Sequence, residues 1–431
     1  MEKVKLRLYQ LTLTLSLVSL ALVLVSSGKQ REFFYIAIYA SILGLAVEYK
    51  KITWRPFSIA YPVLLVGILN LIWYFSYEFH NEGLNAYSDY LGASKKLILA
   101  SFLIFYLDRF KSHVTKQNFQ KYFLIATSVG FVLATGYGLF QAIQGIDRVE
   151  MAINRPTIAA YIYSVLSLAF VYSLYLQQNV KLYLLAGFVV LLSYFVILLT
   201  ATRAAMGLYL ILAIVLTLYQ FRKIHLKSLM IFLCIVAGII IVSYKPLISP
   251  KIQQTQNEIT KYQKGHDATS LGARFSMWNV GIMTGLAHPL GQSIESREIW
   301  AKQYVKEGHA HVAAALGYMR IHLHNEFIEK YSLQGIPGLA VLLFFYVSMI
   351  VYAMTNRNGL LLTAMLLLLL LRTDRCDAIE FRSLNFLHDT FCVKHLVFAN
   401  KATIIIMPAM RALIFLVLIK LRQRHPYRLV G

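Results

Sequence analysis

The dominant constraint in this sequence is the recurrence of apolar runs close to bilayer length, separated by short polar segments. A helix crossing the hydrocarbon core needs about 20 consecutive, mostly apolar residues. Only elements that satisfy their backbone hydrogen bonds internally can cross it. By that measure about twelve spans are expected, near 9–27, 34–48, 58–77, 94–107, 122–143, 156–177, 182–200, 204–220, 228–244, 337–354, 359–371 and 402–419. The fourth, eleventh and twelfth are short or interrupted by charge. Composition agrees, with 58% hydrophobic and 14% charged residues in a chain of 431. Ordinary soluble domains carry roughly a quarter charged residues, so this chain has too little polar surface to cover itself in water. The expected fold class is an all-α polytopic membrane protein.

The formal charge of +22 does not point to nucleic acid, because the basic residues sit in short segments between apolar runs and no nucleic-acid-binding motif accompanies them. They set orientation instead. Lys50, Lys51 and Arg55, then Arg109, Lys111, Lys116 and Lys121, then Arg222, Lys223 and Lys227, and finally Lys420, Arg422, Arg424 and Arg428 fall on one side of the membrane. The alternate segment 78–90 has no Lys or Arg. The expected topology has both termini in the cytoplasm, with Lys3, Lys5 and Arg7 leading an uncleaved first helix. Three cysteines, Cys234, Cys376 and Cys392, provide neither a disulfide scaffold nor a CxxC pair.

This orientation places the one long hydrophilic segment, 245–336, outside. Three parts are expected: membrane helices over 1–244, a large and mostly helical outward-facing loop over 245–336 (periplasmic in a Gram-negative host), and C-terminal membrane helices over 337–431. Phe275, Trp278 and Ile282 have helical apolar spacing. Half of the twelve histidines lie in the loop: His266, His288, His309, His311, His322 and His324. The H-x-H pairs 309/311 and 322/324 raise the question of a metal. However, there is no HExxH, no cysteine support and no DxD pair, so no metal site is expected.

The stretch from Arg320 to Gly335 reads as a helix with Arg320, His324, Phe327, Ile328 and Tyr331 on one face. Gly335 and Pro337 end it and start the next span. This places His324 at the membrane surface beside a cation, which favours a neutral imidazole able to accept a proton. The bland reading is an interfacial histidine that anchors the helix. Arg203, in Thr-Ala-Thr-Arg-Ala-Ala, sits between two apolar runs where positive charge is disfavoured, and an arginine within the bilayer costs about 2.5–3.5 kcal/mol or more. An anionic ligand would explain its placement. A snorkelling end-of-helix charge is the alternative. Arg274, in Ser-Leu-Gly-Ala-Arg, opens a helix-like stretch, and Lys96 near the outer end of the fourth run is a third cation of the same kind.

His324-Asn325, nine residues, then Gly335-x-x-Gly338 before an apolar run resembles the signature of bacterial O-antigen ligases (the WaaL family). The Thr-x-Thr-Arg-Ala element at Arg203 and the Ser-Leu-Gly-Ala-Arg element at Arg274 match in place and order. The resemblance extends from residue 1 to about residue 371. It weakens over 372–431, where the polar stretch 372–401 and Arg411 depart from the family's closing pair of apolar helices; a divergent terminus and a shifted reading frame both account for this.

The resemblance implies a GT-C-like membrane enzyme of the bacterial inner membrane with its active site facing the periplasm. Its donor would be O-antigen polysaccharide on undecaprenyl pyrophosphate and its acceptor lipid A–core oligosaccharide, with membrane lipid around it, no cofactor and no nucleic acid. His324 would be the general base. Arg203 and Arg274 would bind the pyrophosphate and act in catalysis, and Lys96, Arg320 and Asn325 would contribute to substrate binding. An O-antigen polymerase using the same donor is the nearest alternative. A lipid-linked sugar transporter, which would show inverted repeats or broken helices, is a further one.

Overall fold

The computed structural model describes residues 2–52, 58–80, 84–221 and 249–371, with a few isolated positions between 237 and 245. The helices within these residues are α1 (Glu2–Ala21), α2 (Ser27–Val47), α3 (Ala60–Tyr77), α4 (Asn85–Arg109), α5 (Lys116–Ile143), α6 (Pro156–Tyr175) and α7 (Val180–Leu199). They continue with α8 (Arg203–Gln220), α9 (Ser249–Gln263), α10 (Ser270–Ala287), α11 (Ile294–Lys306), α12 (Glu326–Thr355) and α13 (Gly359–Leu371). A 3₁₀ segment over Ala310–Tyr318 lies between α11 and α12.

Among the described residues, seven helices are long and apolar enough to cross a membrane: α3 to α8 and α12. This is a multi-pass α-helical membrane protein. The figure of seven is lower than the twelve spans expected from hydropathy. The runs near 9–27, 34–48 and 359–371 do form helices. However, polar and charged residues dilute α1, Lys29, Arg31 and Glu32 occupy the first turns of α2, and α13 is 13 residues long. The runs at 228–244 and 402–419 lie outside the described residues. The fourth span was read too short. Helix α4 begins at Asn85, inside the polar segment, because Tyr87 and Tyr90 pack against Trp73 and bury that turn.

Helix α6 is buried along its length and packs against α5, α7, α8 and α13. A helix that is apolar all round belongs in an interior, and the small residues Ala159, Ala160, Ser164, Ser167, Ala169 and Ser173 let its neighbours approach closely. Its polar groups are satisfied in place. Thr127 Oγ1 donates to Ser173 Oγ at 3.1 Å, Ser167 Oγ donates to Tyr209 OH at 3.1 Å, and Tyr163 OH shares a 2.7 Å hydrogen bond with Thr135. Around this pillar, α1 and α2 form a hairpin against α5 and α4, α3 pairs with α4, and α12 bridges α3 to α13.

Helices α9, α10 and α11, with the 3₁₀ segment, form a cap with its own apolar cluster of Ala273, Met277, Val280, Ala301, Val312, Ala315, Met319 and Leu323. The cap meets the bundle at the break in α12. Gly335 has φ +62°, and a Cβ there would overlap the Pro289 carbonyl oxygen, so only glycine fits this conformation and this approach. Ile336 N donates to that same Pro289 oxygen at 2.8 Å, and Gln292 N donates to Leu333 O at 2.9 Å. Trp73 closes the joint from α3, with Nε1 shared between Gln292 O (3.0 Å) and Leu333 O (2.9 Å) and its ring stacked on Tyr87. The expected break at Gly335 and Pro337 is therefore present.

Candidate active site

Thr269 caps α10 by accepting from Gly272 N at 3.0 Å, so the Ser-Leu-Gly-Ala-Arg element opens the helix and its Arg274 is buried. The turn is held from α9 as well: Glu258 Oε2 accepts from Leu271 N at 3.0 Å. A carboxylate at a helix N-terminus meets the positive end of the backbone dipoles. The other oxygen of Glu258 faces Arg203. Arg203 Nη2 lies 3.8 Å from Glu258 Oε1, and Nη1 donates to Thr255 Oγ1 at 3.0 Å. Arg203 is the first residue of α8, entered through Ala201 at φ +51°. Its side chain keeps about a third of its exposure, 37%. One carboxylate on α9 thus links Arg203, at the start of α8, to the first turn of α10 that leads into Arg274, a link with no local signal in the sequence.

The helix expected over 320–335 begins only at Glu326. His324 precedes it with φ +57°, a left-handed conformation that costs a non-glycine residue about 1–3 kcal/mol. Its N–H donates to His322 Nδ1 at 2.8 Å, and its half-buried ring meets Tyr318 and His322 edge-on at 5.6 and 5.8 Å. Asn325 is the N-cap: Oδ1 accepts from Phe327 N at 3.0 Å and Ile328 N at 3.3 Å. Local chemistry explains the late start, because a capping asparagine takes extended backbone and satisfies helix amides that have no partner within the helix. His324 and Phe327 therefore do not share a helical face. Arg320 lies on the turn before, exposed and ion-paired with Glu298 of α11, which also holds Lys302 at 2.7 Å.

The turn is clamped from within by two buried charged groups, Arg297 and Glu329. Arg297 of α11 is fully buried and donates through Nε to Met319 O at 3.0 Å, with Nη2 on the same carbonyl. Its Nη1 donates to Glu329 Oε2 and Ser332 Oγ, both at 3.0 Å. Glu329 Oε2 also accepts from Leu323 N at 2.9 Å, and Oε1 from Tyr90 OH at 3.2 Å. Lys96 lies on α4, half-buried and within electrostatic reach of Arg31 and Asp89. Among the described residues no three His, Cys, Asp or Glu side chains converge as a metal-binding group, and the two H-x-H pairs remain pairs.

The O-antigen ligase family profile matches residues 186–343, a stretch containing Arg203, Arg274 and His324. An O-antigen ligase of Escherichia coli (strain K12) is 30% identical over 363 residues, covering 82% of this chain and 84% of that protein. The chain belongs to the O-antigen ligase family. As a member of this family it is a membrane enzyme of lipopolysaccharide biosynthesis, acting on polysaccharide in a ligase- or polymerase-type role. Within this chain, the matched region runs from α7 to the first half of α12. It therefore takes in both the arginine–carboxylate cluster and the histidine turn.

Proposed function

We propose that this protein is an O-antigen ligase of the inner membrane. It would transfer O-antigen polysaccharide from undecaprenyl pyrophosphate to lipid A–core oligosaccharide on the periplasmic side, with inversion and without a divalent cation. The Lys and Arg distribution supports this placement, with both termini cytoplasmic and the cap outside. The twelve-span topology and its division at 244/245 and 336/337 belong to the same reading.

His324 is the general base. It takes the proton of the acceptor hydroxyl as that oxygen bonds to the anomeric carbon and the bond from that carbon to the pyrophosphate oxygen breaks. Undecaprenyl pyrophosphate leaves with the electron pair. Arg203 and Arg274 bind the diphosphate and stabilise the charge that develops on it, since the guanidinium fork suits bidentate phosphate recognition. Lys96 and Arg320 add positive charge along the substrate path, with Arg320 exchanging Glu298 for substrate. Asn325 acts through the backbone that carries His324.

The observation that carries this reading is the presentation of His324, half-exposed in a left-handed turn that α12 and its cap hold in place. The test is transfer of undecaprenyl-linked O-antigen to lipid A–core by protein purified in detergent, with EDTA present. Wild type should transfer. His324→Ala should lose about 10²–10⁴-fold, as removal of a general base does, with its elution profile unchanged. Full activity in His324→Ala would remove the base from the mechanism. Transfer by wild type only to a growing polysaccharide, and not to lipid A–core, would make the protein a polymerase.

A further inference from the structure

We propose that Arg297 and Glu329 are positioning residues for His324, a role that rests on the reading of His324 as base. The two form a buried ion pair between α11 and α12, and each also hydrogen-bonds to one end of the same backbone segment. Arg297 grips the segment's start through the carbonyl of Met319, and Glu329 grips its end through the amide of Leu323. His324 is the next residue, and its left-handed backbone lies outside the helix that Asn325 caps. Tyr90 adds a hydrogen bond from α4 to the other oxygen of Glu329, and Ser332 adds one to Arg297, so the clamp is anchored in both the bundle and the cap.

A buried ion pair is weak evidence for stability, since desolvation consumes much of the attraction. It is better suited to fixing one geometry, and the geometry fixed here is that of the proposed base. Glu298 and Arg320 pair on the exposed side of the same turn.

Arg297→Lys keeps the charge opposite Glu329 but cannot reach Met319 O, Glu329 and Ser332 together, because an ammonium lacks the planar fork. Loosening a catalytic group by about 1 Å costs on the order of 10²-fold in rate. The expected result for Arg297→Lys is a kcat lowered about 10²-fold, with KM for lipid A–core within about threefold of wild type. In the double variant Arg297→Lys/His324→Ala, activity should equal that of His324→Ala alone within about threefold, because one variant acts through the other. Multiplying losses would overturn the proposal, as would full activity in Arg297→Lys or in His324→Ala.

Hydrogen exchange supplies a readout that needs no substrate. Amides of 319–325 should exchange about tenfold faster or more in Arg297→Lys while α6 keeps its protection; unchanged protection of Leu323 would overturn the clamp. Exchange also separates the two claims. If wild type transfers nothing to lipid A–core, the ligase reading fails, while the exchange result still decides whether Arg297 and Glu329 hold the turn. Should Arg297→Lys not fold, Tyr90→Phe removes one hydrogen bond to Glu329. It is expected to lower kcat roughly 3–10-fold, with no added loss on top of His324→Ala. Added loss there would count against the proposal.

Discussion

Trp73 Nε1 and the carbonyl of Leu333 meet at 2.9 Å across 260 positions of sequence, with the Gln292 carbonyl sharing the same N–H at 3.0 Å. This contact joins α3 of the bundle to the break in α12 on which the cap rests. Trp73→Phe keeps an aromatic ring against Tyr87 and Tyr90 but takes the indole donor from the Gln292 carbonyl, while Leu333 O keeps the Gln292 amide, at a cost of about 1–3 kcal/mol. The expected outcome is a lower Tm in detergent and faster proteolysis within 249–325 than within α5–α8, measured by limited digestion and mass spectrometry. Equal loss everywhere would mean that Trp73 is not specific to the joint.

Asn325 separates a capping role from a direct sugar contact. Asn325→Ala should cost about 0.5–2 kcal/mol of stability and lower transfer. Asn325→Asp keeps an oxygen for Phe327 N and Ile328 N, so it should restore both stability and most of the activity. Restored stability with transfer still lost would assign Asn325 to the substrate.

Glu258 sits between Arg203 and the first turn of α10, and the two halves of its role can be separated. Arg203→Ala should lower kcat/KM by roughly 10²–10³-fold if its guanidinium stabilises charge on the departing diphosphate, and Arg203→Lys should recover part of this. Glu258→Gln retains an acceptor for Leu271 N but not the counter-charge for Arg203. It should tighten binding of the product undecaprenyl pyrophosphate while slowing turnover, read by product inhibition in the transfer assay. Unchanged inhibition would mean that Glu258 does not compete with the diphosphate for Arg203.

The pH dependence of the cap is expected to come partly from Glu298. Burial disfavours its charged form, but the hydrogen bonds from Lys302 and Arg320 outweigh burial and hold its carboxyl below the usual carboxylate range. A group whose pKa is depressed on folding contributes stability that is complete above its unfolded value, about 4.3, and lost as pH falls through the folded value. Thermal unfolding followed from pH 7 down to about 3 should show a smaller acid loss in Glu298→Gln than in wild type. An identical loss would place the acid-sensitive group elsewhere.

Much of the scaffold was legible in advance. Apolar runs such as 182–200 and 204–220 became α7 and α8, since a long apolar run has no other way to satisfy its backbone in lipid. The break at Gly335 was legible from glycine and proline chemistry, and the helix through Phe275, Trp278 and Ile282 from its spacing. The start of α12 was not. His-Leu-His-Asn-Glu suits a helix by spacing alone, and Asn325 took the capping role because a helix N-terminus formed there. Arg297 and Glu329 left no signal, because a charged residue on a helix is ordinarily solvated and nothing local distinguishes one that will be buried. The early start of α4 was hidden for the same reason: Tyr87 belongs to an aromatic cluster whose other members lie far along the chain.

By itself the sequence determined that this chain is a multi-pass helical membrane protein, which residues resemble the O-antigen ligase signature and in what order they come. These are consequences of composition, periodicity and short spacings, all carried by neighbouring residues. The tertiary structure decided that Arg203 and the first turn of α10 share one carboxylate, that His324 stands on a left-handed turn rather than on a helix, and that a buried arginine and glutamate hold that turn at both ends. Each of these depends on groups brought together across long sequence separations, where the balance of desolvation against hydrogen bonding is set only once the helices have packed.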